Sequence, residues 1–115
     1  MTLAKLVLLD TTLRDGELSP NFNPTASERF EIAKALERAG VDVIELTSTA
    51  ENPEQQQSSK HIAKSIKSAT VCCLSPMSRQ DVDIANDMLE GATHARIHLY
   101  LDAKRVHLVD RKSVV

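Results

Sequence analysis

Residues 25–46 read TASERFEIAKALERAGVDVIEL, and this stretch decides the fold class. Thr25 and Glu28 stand at capping-box spacing, where each side chain accepts a hydrogen bond from the other residue's backbone N–H. Behind them Phe30, Ile32, Ala33, Leu36 and Ala39 form one apolar stripe at helical spacing. Gly40 sits where a left-handed residue ends a helix. Residues 41–46 follow as a short run rich in β-branched side chains, the pattern of a buried strand. A capped amphipathic helix, a glycine stop and a buried strand are the parts of a parallel βα repeat.

The same parts recur on either side. Residues 3–9 are an apolar run interrupted by Lys5, which predicts a buried first strand. Asn52, Pro53 and Gln55 supply a cap, a first-turn proline and its partner for a second helix carrying Ile62, Ala63 and Ile66. Residues 70–74 predict a third strand. Ser78 then opens a helix bearing Val82, Ile84, Ala85, Met88 and Leu89 that stops at Gly91, and residues 95–101 predict a fourth strand. Successive strands begin roughly 30 residues apart, the size of a βαβ unit. The expectation is an α/β chain with a parallel sheet covered by helices. After Leu101 the sequence fits either the start of a fourth helix or a tail.

Composition narrows the function classes. The chain has 115 residues, 42% hydrophobic and 26% charged, with 14 basic side chains among 16 acidic ones. No basic stripe is present, and with no Trp, one Tyr and two Phe there is no base-stacking platform, so a nucleic-acid or membrane-surface partner is not expected. No apolar run approaches the ~18 residues of a membrane span, and no cleavage site follows the first apolar run. The expectation is a soluble cytoplasmic protein. Cys72 and Cys73 are adjacent and cannot staple distant segments, so both are expected as small buried strand residues in a reducing compartment.

In parallel α/β folds, ligands bind beyond the carboxyl ends of the strands. Residues 10–21 are the richest such segment, with Asp10, Thr11, Thr12, Arg14, Asp15 and Glu17 gathered around Gly16. An adjacent Arg and Asp at a strand end can divide labour. The carboxylate is a hard metal ligand, and the guanidinium meets negative charge developing on a bound oxygen. Composition alone leaves open a polar loop with a surface ion pair.

Asp10-Thr-Thr-Leu-Arg-Asp-Gly-Glu17, followed by Ser19-Pro20, resembles the N-terminal signature of the 2-isopropylmalate synthase family. Homocitrate and citramalate synthases share it. The likeness continues through residues 28–36, 39–45, 81–85 and 95–98, and runs over residues 6–112. It implies that residues 1–115 are an incomplete N-terminal portion of a pyruvate-carboxyltransferase-like catalytic domain, the first half of a TIM (β/α)8 barrel. It further implies a divalent metal ion (Mg²⁺, Mn²⁺ or Zn²⁺), acetyl-CoA as co-substrate and a 2-keto acid. The reaction implied is a Claisen-type condensation, with 2-oxoisovalerate in leucine biosynthesis as the leading choice. By position, Asp15 matches the metal-binding aspartate and Arg14 the arginine that stabilises the enolate or alkoxide and touches substrate. Glu45, Leu74 and His98 fall on the keto-acid side of the site.

Departures from the family pattern keep other readings open. Position 18 is Leu where the family usually has Gln. Leu46-Thr47-Ser48 replaces Gly-Phe-Pro and is closer to homocitrate synthases. The family's remaining metal ligands come from a His-x-His pair, and the four histidines here, His61, His94, His98 and His107, include none. His94 and His98 on one strand would lie roughly 13 Å apart at about 3.3 Å per residue, too far to share an ion. His61, on a helix, is expected to be solvated. The resemblance therefore implies a chain inactive by itself. The alternatives are a homocitrate or citramalate synthase fragment, or a non-catalytic half-barrel that forms a homo-oligomer through exposed sheet edges or binds a partner subunit. A flavodoxin-like domain lacks support, because there is no Gly-rich phosphate loop.

Overall fold

The computed structural model describes residues 5–16, 20–47 and 52–101. In chain order the elements are β1 (Leu9–Asp10), α1 (Thr12–Asp15), α2 (Ala26–Arg38), β2 (Val43–Thr47), α3 (Pro53–Ser65), β3 (Thr70–Pro76), α4 (Arg79–Met88) and β4 (Ala95–Tyr100). The strands form one sheet in the order β1-β2-β3-β4, and every neighbouring pair is parallel. Chain order and spatial order coincide, so each connection steps one strand sideways and carries a helix with it, as in half of a TIM barrel.

Local chemistry sets the helix ends. Thr25 Oγ1 accepts the Glu28 N–H at 3.1 Å while Glu28 Oε1 accepts the Thr25 N–H at 3.0 Å, the expected reciprocal cap. Asn52 accepts the Gln55 N–H, and Ser78 accepts the Asp81 N–H. Gly40 and Gly91 follow α2 and α4 with φ of +90° and +87°, a left-handed backbone that glycine adopts without steric penalty.

Register then assigns the faces. Ile44, Leu46, Val71 and Cys73 point to the helix layer, where they pack with Ala33, Ile62, Ala63, Ile66, Ala85 and Met88. The alternate residues Val43, Glu45, Thr47, Thr70, Cys72, Leu74, Arg96, His98 and Tyr100 share the opposite, inner face. Each fully buried Leu or Ile of the helix-side core contributes about 1.5–3 kcal/mol of apolar burial.

The first strand differs from expectation. Of residues 3–9, residues 3 and 4 lie outside the described residues, and only Leu9 enters β1. Leu6, Val7, Leu8 and Leu9 are 48–81% exposed rather than buried. The physical reason is the edge position: β1 has β2 on one side and no strand on the other among the described residues. Leu8 is nevertheless tied down, because its carbonyl accepts the Asp42 and Val43 N–H groups and its own N–H donates to Asp42 Oδ2 at 2.8 Å. β2 starts two residues later than expected and β3 runs on to Pro76. The segment after Leu101 lies outside the described residues.

Two polar ties link the helix layer. Arg29, only 3% exposed, reaches Ser58 Oγ at 3.3 Å and Ser59 Oγ at 3.4 Å across the α2–α3 contact. The Glu37 carboxylate, at the end of α2, accepts the N–H groups of Lys67 at 2.7 Å and Ser68 at 2.9 Å, and pairs with Lys34 at 3.0 Å. These contacts, led by the Ser68 N–H, pull its pKa from 4.5 down to about 2. His61 is exposed, as expected, and its ring stacks on Phe30 at 4.9 Å.

Candidate functional site

The site begins in the turn after β1. Asp10 accepts both the Thr12 N–H at 2.9 Å and the Thr12 hydroxyl at 3.1 Å, which bends the chain as it leaves the strand. One helical turn, α1, follows where the sequence suggested a loop. Fully buried Leu13 anchors that turn in the core, and the Thr11 carbonyl accepts the N–H groups of Arg14 and Asp15. Arg14 and Asp15 are thereby fixed by backbone and core together. Gly16 ends the turn at a close approach, because a Cβ there would collide with the Phe22 ring.

Arg14 is held by two carboxylates. Its Nε donates to Glu45 Oε1 at 2.7 Å, and its Nη1 lies 2.8 Å from Asp15 Oδ1. The other Asp15 oxygen accepts the Thr11 hydroxyl at 2.5 Å. Glu45, in the middle of β2 rather than at its end as expected and only 3% exposed, places its second oxygen 2.6 Å from His98 Nδ1 on β4. An ionised carboxylate only accepts, so Nδ1 donates in this contact and the ring is held in one orientation. Arg14, Asp15, Glu45 and His98 thus form one connected network across α1, β2 and β4. Leu74 on β3 pairs with Thr47 and His98 in the register and adds an apolar, half-buried neighbour on the same face. The five residues selected from sequence therefore converge at one end of the sheet.

Sequence reasoning missed Cys72. Both cysteines are buried and unpaired, as expected, yet they part ways: Cys73 belongs to the helix-side core, and Cys72 faces inward between Glu45 and His98. Burial first, and then the charge of Glu45, push the Cys72 thiol up to about 12. Burial, the neighbouring Cys72 and Glu45 do the same for Cys73. The period-two alternation of a strand was the available signal, since it sends adjacent residues to opposite faces. His94 precedes β4, where its carbonyl accepts the Val71 N–H, so it does not share a strand with His98. Leu18, Ser48 and His107 lie outside the described residues.

A four-stranded parallel sheet with alternating helices, and a carboxylate–guanidinium–imidazole network at the carboxyl ends of its strands, define half of a TIM barrel with its site-forming end. The HMGL-like family model matches residues 5–113, and the chain belongs to that family. Among curated proteins it is similar to the 2-isopropylmalate synthase of Aliivibrio salmonicida, at 41% identity over 107 residues, 93% of this chain and 21% of the relative. The 2-isopropylmalate synthase of Oceanobacillus iheyensis is 41% identical over 106 residues, 92% of this chain and 21% of that protein. That of Vibrio cholerae is 39% identical over 107 residues, with 93% and 21% covered. The chain thus spans about a fifth of the length of the curated relatives it matches.

Proposed function

We propose that this chain supplies the arginine–aspartate corner of a 2-isopropylmalate synthase-like site, which condenses acetyl-CoA with 2-oxoisovalerate in leucine biosynthesis in the cytoplasm. The observation that carries this reading is Arg14 clamped between Glu45 and Asp15, with His98 on the far oxygen of Glu45. Among the described residues two of the guanidinium N–H groups are spent on these carboxylates, and the others are available to meet an oxyanion. Because the clamp is set before substrate arrives, little reorganisation is needed as charge develops on the enolate or alkoxide oxygen. His98, oriented through Nδ1, presents Nε2 to the keto acid, and Leu74 offers an apolar wall to its branched side chain.

Asp15 is the residue that would hold the divalent ion. Its carboxylate is a hard oxygen donor, half-exposed at a strand end and oriented by Thr11 and Arg14, which fits Mg²⁺, Mn²⁺ or Zn²⁺. When bound, such an ion polarises the keto carbonyl. The sequence contains no His-x-His pair to complete the ligand set, so the 115-residue chain by itself is expected to be inactive. Among the described residues no strand pairs with the outer side of β1 or β4, and Leu6, Val7, Leu99 and Leu101 are at least half exposed, which supports self-association as the behaviour of the chain in isolation.

The test is a graft. Residues 5–101 replace the matching segment of the Vibrio cholerae relative, and free-thiol release from acetyl-CoA is followed with a panel of keto acids. The reading requires metal-dependent release with 2-oxoisovalerate that disappears in Asp15→Asn. A folded graft that prefers 2-oxoglutarate or pyruvate would move the assignment to the homocitrate or citramalate chemistry. A folded graft with no activity on any keto acid would overturn it.

A further inference from the structure

Glu45, Cys72 and His98 are brought together from β2, β3 and β4, and their ligand atoms all lie within 4.8 Å of one another. We propose that these three side chains form a second cation site, selective for a zinc-class ion and distinct from the Asp15 position. Three facts support it. The donor set is one carboxylate, one imidazole and one thiol, a mixture that suits a borderline-soft metal rather than Mg²⁺. Cys72 is fully buried on the inner face, outside the helix-side hydrophobic cluster that its neighbour Cys73 joins. Its S–H makes a weak 3.7 Å contact with the Cys73 carbonyl, and the sulfur lies within 4.8 Å of a carboxylate oxygen of Glu45 and a ring nitrogen of His98.

The rearrangement is small. Glu45 Oε1 stays on Arg14, while Oε2, now hydrogen-bonded to His98, turns to the ion. Tetrahedral bonds of about 2.0–2.3 Å place neighbouring ligand atoms about 3.2–3.6 Å apart, so the Glu45–His98 pair opens from 2.6 Å while the contacts of Cys72, within 4.8 Å, adjust to that range. The balance is explicit. The thiol loses its proton to solvent, the imidazole proton moves from Nδ1 to Nε2 if Nδ1 ligates, and one proton is released per ion bound. Thiolate and carboxylate cancel the two charges of the ion, and Arg14 keeps its pairing with Asp15. Three protein ligands leave a fourth position open towards the inner face.

Co²⁺ reports on such a site without any activity measurement. The metal-free 115-residue chain, kept reduced, is titrated with Co²⁺ and scanned through the near-ultraviolet and visible. The expected result is a thiolate-to-cobalt charge-transfer band with tetrahedral d–d bands, removed by stoichiometric Zn²⁺ and untouched by excess Mg²⁺. Cys72→Ser and His98→Gln should each lose the charge-transfer band, with circular dichroism confirming the fold. Asp15→Asn should retain it, which separates this site from the one proposed above for the condensation. Absence of the band in the parent chain, or its survival in both Cys72→Ser and His98→Gln, overturns the proposal.

Discussion

Glu37→Gln is the substitution whose effect the structure fixes most fully. The Glu37 carboxylate, 12% exposed, ties the end of α2 to the turn that leads into β3. Its pKa falls from 4.5 to about 2 on folding. At about 1.4 kcal/mol per unit this shift corresponds to at most ~3.4 kcal/mol, and screening near the surface brings the expected value to about 1.5–2.5 kcal/mol. The pKa is lowered in the folded state, so the stabilisation is fully present above 4.5 and is lost as pH falls from 4.5 towards 2. Urea or thermal unfolding of the parent and Glu37→Gln at pH 7, 4 and 2.5 measures it. The variant should be about 1.5–2.5 kcal/mol less stable at pH 7, a drop of about 5–10 °C in Tm for a chain of this size. The gap should shrink to less than half by about pH 3. Equal destabilisation at every pH would show that the charge on Glu37 is not what latches α2 to β3. No destabilisation at pH 7 would show that the latch carries no net energy.

Three further outcomes follow from the same geometry. Thr25→Ala removes one half of the reciprocal cap on α2 and should lower stability by about 1 kcal/mol in denaturant titrations; an unchanged midpoint would contradict the cap's role. Gly40→Ala and Gly91→Ala place a Cβ on a left-handed backbone and should each destabilise by about 1–2 kcal/mol. Gly91→Ala should be the worse of the two, because the Lys64 stem lies 3.3 Å from the new atom while the space at Gly40 is open. In light scattering coupled to size exclusion, the 115-residue chain should run as a concentration-dependent dimer or larger species, and a stable monomer at high concentration would refute association through the open edges.

The repeat pattern was legible because each boundary has a local chemical cause. Thr25 with Glu28, Asn52 with Gln55, and Ser78 with Asp81 act within four residues, and Gly40 and Gly91 stop helices by backbone geometry alone. Arg14 and Asp15 were legible for a related reason, as an adjacent pair in a strand-end motif. What local sequence does not carry is the environment on the far side of a residue. Residues 3–9 have the apolarity of a buried strand, but burial depends on what lies beside them, and the described sheet leaves that side open. Arg29 is buried because two serines on another helix receive it, a contact 29–30 residues away in sequence. Cys72 acquires its chemistry from Glu45 and His98, which only the register of three strands brings within reach.

Everything proposed for the condensation rests on Arg14 as the group that meets the developing oxyanion, and its substitution in the grafted enzyme is the most direct measurement. Arg14→Gln should lower kcat by about 10²–10³-fold, with a much smaller change in the KM for 2-oxoisovalerate, because a transition-state donor is lost. Arg14→Lys should recover little of that loss, since an ammonium cannot hold two carboxylates and an oxyanion in one plane. An Arg14→Gln graft that folds, binds metal and turns over at the parent rate would contradict the account.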